Sequence, residues 1–155
     1  MFAKMCQTHG MCSSYSNWAP LVLRVVLGVI IAVHGSQKLF GWFDGPGLEG
    51  TVGFFTMLGI MPAFFWAWVV ALVEFVGGIL LILGLGVRVV APLVAINMLV
   101  ALVKVHLARG FFVGDGGYEF VLILIAVAVS LALTGAGKIS LDNVMCTQYC
   151  KTKAS

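Results

Sequence analysis

The stretch AFFWAWVVALVEFVGGILLILGL, residues 63–85, decides the fold. It runs for about 23 residues with a single charge, Glu74, near its middle, which is enough helix to cross roughly 30 Å of hydrocarbon. A charge at that depth costs about 2.5–3.5 kcal/mol on insertion scales, so Glu74 is expected to face protein, water or a ligand rather than lipid. Ala71 lies three residues before it, and Gly77 and Gly78 lie three and four after it. That leaves the Glu74 face narrow, where a neighbouring helix can approach closely. Other apolar segments must then supply partners for the carboxylate.

Composition agrees with a membrane chain. Of 155 residues, 61% are hydrophobic and 10% charged, outside the range of soluble globular domains and consistent with one domain. Nine Lys and Arg against six Asp and Glu are scattered and form no basic stripe, which excludes nucleic acid as a partner and leaves the lipid bilayer. The first apolar run follows a polar stretch and has no small-residue cleavage site after it. It is expected to remain as a span and not to leave as a signal peptide.

The pattern predicts an all-α integral membrane four-helix bundle over residues 19–137, between a polar N-terminal tail, 1–18, and a polar C-terminal tail, 138–155. Span one covers residues 19–39, with Pro20 in its first turn, where a missing N–H costs nothing. Its stripe of Arg24, Gly28, Ile31, Gly35 and Lys38 is small in the middle and cationic at both ends, and is expected to face inward. Residues 40–61 are glycine-rich and interrupted by Gly45-Pro46-Gly47. Within them, residues 48–58 are expected to form a short interfacial or re-entrant helix. Span two opens after Pro62, and a very short link through Gly84 to Arg88 makes span three, residues 89–108, its antiparallel neighbour. On span three, Asn97, Ala101 and Lys104 share a face and His106 points elsewhere. Span four, residues 118–133, continues an inward stripe from Glu119 through Ile123, Ala126 and Ser130, and Gly135 and Gly137 end it.

At 1.5 Å per residue, His34, Lys38, Lys104 and Glu119 fall in the half of the bundle away from the termini, with Glu74 and Asn97 near mid-depth. These six are the candidate pocket, two cations and two carboxylates able to neutralise one another. The competing reading has Lys38, Lys104 and Glu119 reaching to the interface and Glu74 held in a structural pair with Asn97 or Lys104. Arg24 and Arg88 are read as structural charges. Arg24, Arg88 and Lys138, with Lys4, Lys151 and Lys153, lie toward the termini, so the distribution of basic residues favours cytoplasmic termini. Cys6, His9, Cys12, Cys146 and Cys150 share the terminal side as weak candidates for a metal or thiol site. Their spacing matches neither a C-x-x-C redox motif nor a zinc knuckle, and no metal is assigned to them.

The ordered segments LRVVLGVIIAVHGSQKLFGWF, FFTMLGIMP, ALVEFVGGILLILGLGVR, INMLVALVKVH, GGYEF and ALTGAGKISLD resemble the DoxX family of small bacterial membrane proteins, over residues 19–142. The resemblance implies a four-helix protein of the bacterial inner membrane. It marks Arg24, His34, Gly35, Lys38, Glu74, Gly78, Arg88 and Glu119 as positions matching the family pattern. It also implies association with membrane redox complexes and with oxidative or thiol stress, since the family is named for similarity to a subunit of a thiosulfate:quinone oxidoreductase. No haem, flavin or iron–sulfur signature is present. A redox role therefore makes the chain a subunit, with a quinone or small sulfur species in its pocket and electrons from a redox partner protein. The alternative is a non-enzymatic scaffold, binding or transport protein, with glycine-rich faces suited to helix packing and homo-oligomers.

Overall fold

Proline and glycine punctuate the helices where the backbone requires them. In the computed structural model, which describes residues 18–145, helix α1 spans Ala19–Phe40 with Pro20 in its first turn, and ends at Gly41 in the left-handed region. A short helix, α2, Gly47–Met57, follows the Gly45-Pro46-Gly47 break. Helix α3, Ala63–Leu83, starts directly after Pro62 and stops at Gly84, whose φ of 70° only glycine adopts without strain. Helix α4, Val87–Ala101, continues through a π-helical turn, Leu102–His106, and a 3₁₀ turn, Leu107–Arg109. Helix α5 is Glu119–Thr134 and ends at Gly135. All regular structure among the described residues is helical.

Three of these segments, Ala19–Phe40, Ala63–Leu83 and Val87–Arg109, are long and apolar enough to cross a membrane, and α5 is shorter. The helices form a ring in which α1 lies against α3, α3 against α4, α4 against α5, and α5 more thinly against α1. One core runs through the ring, with Leu27 and Ile31 of α1, Leu81 of α3, Val87 and Val94 of α4, and Leu124, Ala128 and Leu131 of α5. A second, smaller cluster packs Phe55 of α2 on Ala63 and Ala67 of α3. The short helix thus covers the part of α3 that extends past the end of α1.

Glycine sets the closeness of α1 and α3. A Cβ on Gly78 would sit 2.5 Å from the Ala32 nitrogen and 2.6 Å from the Gly28 carbonyl oxygen, and one on Gly35 would sit 2.6 Å from Phe75 Cα. Backbone meets backbone along this seam. Both inward stripes expected on these helices are buried, Arg24, Gly28, Ile31 and Gly35 on α1 and Ala71, Glu74, Gly77 and Gly78 on α3. The stripe expected on α5 is not. The buried residues there are Val121, Leu124, Ala128 and Leu131, and Ile123 is 60% exposed. An unbroken apolar run gives no polar contrast from which to read its inner face.

Residues 139–142, expected in a polar tail, dock onto the bundle. Arg24, 3% exposed, donates from Nη1 to the carbonyls of Leu81 (3.2 Å) and Ile82 (2.8 Å) and from Nη2 to that of Ile139. Its guanidinium satisfies the carbonyls at the α3 C-terminus and ties them to the segment after α5. Asp142 accepts from the amides of Gly86 (2.8 Å) and Val87 (3.2 Å), and its own N–H donates to the Gly84 carbonyl at 3.0 Å. It therefore caps the start of α4 from a distant part of the chain. Asp142→Ala is expected to lower stability by about 1–2 kcal/mol, the usual loss of an N-cap, and Asp142→Asn by less. Denaturant unfolding of the full chain in detergent micelles measures both.

Candidate functional site

Glu74 stands halfway along α3 and is 2% exposed. Both of its oxygens are engaged. Lys38, from the last turn of α1, donates to Oε2 in an ion pair. Asn97 of α4 donates its amide N–H to Oε1 at 2.9 Å. Lys38 reaches this depth because Gly35 lets α1 lie directly on the Glu74–Phe75 backbone, with Lys38 one turn further along. The three side chains come from three helices and meet inside the ring. Burial is graded, since the Lys38 side chain is 24% exposed and that of Glu74 3%. The Lys38 ammonium is the more accessible end of the cluster.

His34 lies one turn before Lys38 on α1, exposed at the rim and close enough to interact with Gln37, Lys38 and Glu74. Four of the six expected pocket residues, His34, Lys38, Glu74 and Asn97, therefore gather in one place.

Lys104 and Glu119 do not join them. The π-helical turn holds one extra residue per turn, so residues beyond Leu102 rotate off the face they would share with Asn97 in a straight α-helix. Lys104 is exposed and has no ion-pair or hydrogen-bond partner among the described residues. Glu119 sits in the first turn of α5, where its Oε1 accepts the Val113 amide at 2.7 Å and closes the 110–118 loop on itself. His106 supports the same loop: its Nδ1 lies 2.7 Å from the Gly116 carbonyl, an acceptor, so this nitrogen carries the proton.

Arg24, read as a structural charge, donates to three backbone carbonyls. Arg88 is exposed at the terminal end beside Gly135. Among the described residues no group of three or more His, Cys, Asp or Glu side chains is arranged to hold a metal ion. Cys6, His9, Cys12, Cys146 and Cys150 lie outside the described residues. Asp142 is the functional-looking polar residue that sequence pattern missed, because its partners are 55 and 56 positions away.

The DoxX family model matches residues 19–107, which hold His34, Lys38, Glu74 and Asn97. A Bacillus subtilis (strain 168) protein named "Putative oxidoreductase CatD" is 38% identical over 122 residues, 79% of this chain and 83% of its own. Two Haemophilus influenzae proteins, both named as uncharacterized, are each 32% identical. One match covers 78% of this chain and 86% of the relative, the other 94% and 93%. No solved structure matches the chain. With the family model covering more than half its length, and the Glu74 cluster inside the matched region, this chain belongs to the DoxX family.

Proposed function

We propose that the chain is an inner-membrane redox subunit in which the Lys38–Glu74–Asn97 cluster, with His34 at its rim, binds a quinone or small sulfur species and manages its protons. A partner protein supplies the electrons. The helices cross the bilayer four times with both termini cytoplasmic, α5 doing so with local thinning of the bilayer at about 24 Å of helix.

The observation that carries this reading is a buried carboxylate at mid-helix, bonded to a partly exposed ammonium that has donors to spare. Intramembrane ionisable residues of this kind mark substrate or proton paths. The oxidoreductase name of the Bacillus subtilis relative supports the redox part. In this scheme a ligand oxygen takes a hydrogen bond from Lys38, whose link to Glu74 lets a proton pass between ammonium and carboxylate as the ligand gains or loses electrons.

The test is quinone reduction in membranes containing the full chain and its electron donor. Glu74→Gln keeps the Asn97 bond but cannot carry a proton, and is expected to lower the rate at least tenfold, with Lys38→Ala at least as damaging. An unchanged rate in folded Glu74→Gln favours the scaffold reading instead. One observation favours that second reading: both Glu74 oxygens already have protein partners.

A further inference from the structure

The terminal end of the bundle carries a polar groove that the redox reading does not use. A cavity of about 380 Å³ opens between α1 and α5, with Leu23 on one wall, Ser130 and Thr134 on the other and Lys138 at the mouth. A second, of about 290 Å³, opens toward α4 beside Arg88 and Asp142. The two share Thr134, Gly137 and Asn143 and so lie side by side across the C-terminal end of α5.

Its charge is not balanced. Arg88 and Lys138 are exposed and have no ion-pair partner among the described residues. The one carboxylate lining the groove, Asp142, is committed on both oxygens to the Gly86 and Val87 amides, and its charge faces Arg24. Two cations remain for an external anion.

The lining of the first cavity extends in depth along both helices. Ser130 stands one turn deeper in α5 than Thr134, and Leu23 one turn deeper in α1 than Ala19. The gap therefore runs from Lys138 and Thr134 at its outer end to the seam at Leu23 and Ser130 between the two helices of the ring that touch least. Trp18 stands 56% exposed at the same end, at the level where tryptophan marks the headgroup region.

We infer that this groove binds an anionic phospholipid, with its phosphate between Lys138 and Arg88 and its acyl chain in the seam past Leu23 and Ser130. A free phosphate would use the mouth alone. Basic pockets between helices at a membrane surface take phosphate headgroups in this way, each cation strengthening binding about fivefold.

The experiment uses the full chain in neutral detergent. It is titrated with dioctanoyl phosphatidylglycerol, with dioctanoyl phosphatidylcholine and with inorganic phosphate, and bound lipid is counted by native mass spectrometry. The expected result is retention of phosphatidylglycerol alone, about fivefold weaker in Arg88→Gln and in Lys138→Gln. Ser130→Leu, which fills the seam, is expected to abolish retention. Both charge substitutions are at exposed positions, and circular dichroism of each variant confirms its fold. Equal retention of phosphatidylcholine, full displacement of phosphatidylglycerol by an equal concentration of inorganic phosphate, or unchanged binding in either charge variant overturns the inference.

Discussion

Lys38→Ala is expected to destabilise the protein by about 3–5 kcal/mol, the cost of leaving a buried charge without its partner. Glu74 cannot move to water from the middle of α3, and one Asn97 amide does not compensate a full carboxylate charge. Removing both charges together is a different experiment. Lys38→Met with Glu74→Leu fills similar volume with apolar groups and is expected to recover most of the loss, because a buried pair repays little more than its own desolvation. The single and double variants form a cycle whose coupling measures the pair itself. Lys104→Ala, at an exposed position with no partner, is expected to change stability by less than about 0.5 kcal/mol. Unfolding of the full chain in micelles separates these outcomes, and a Lys38→Ala effect as small as that of Lys104→Ala would remove the ion pair from the account.

The seam between α1 and α3 gives the second large effect. Gly35→Ala and Gly78→Ala are each expected to cost about 3 kcal/mol, the upper part of the range for overpacking, since the new methyl meets backbone and not the end of a flexible side chain. At Gly35 the obstacles are Phe75 Cα at 2.6 Å and the Glu74 carbonyl carbon at 2.8 Å. Substitution there also pushes α1 away from α3 and lengthens the reach of Lys38 to Glu74, so activity is expected to fall with stability. Gly53 in α2 is the control. A Cβ there meets nothing within 4 Å, and Gly53→Ala is expected to be neutral or to stabilise by up to about 1 kcal/mol through helix propensity. Equal effects at Gly35 and Gly53 would mean that the helices do not pack this closely.

Much of the fold is legible in the sequence because its signals are local. Pro20, Pro62, Gly84 and Gly135 bound helices through their own backbone preferences, and small residues around Glu74 declare a close-packed face. That Lys38, Glu74 and Asn97 face the inside of the bundle follows from regular helix geometry, but which base pairs with Glu74, Lys38 or Lys104, does not. Where geometry is irregular the reading fails. Nothing in LVKVH announces a π turn, and Lys104 within that turn is exposed. Glu119 looks like an inward charge at the head of a span, but a carboxylate in the first turn of a helix is also well placed to bind a nearby loop amide, and here it does. Asp142 was illegible for a further reason: a cap supplied from across the fold leaves no trace in the residues around either partner.

Taken together, the bundle holds one acid at mid-depth and spends a base from one helix and an amide from another on keeping it there. The proposed function asks this arrangement to serve chemistry as well as stability, and the two roles part company in their response to ligand. Difference infrared spectroscopy of the full chain in lipid, with Glu74→Gln as the reference, reports the state of this carboxylate. The expected result is an ionised-carboxylate band, absent in the variant, that shifts when a soluble quinone is added. A band that ignores quinone in folded protein would leave Glu74 as a structural pair only, and an un-ionised carboxyl signal at neutral pH would overturn the ion pair itself.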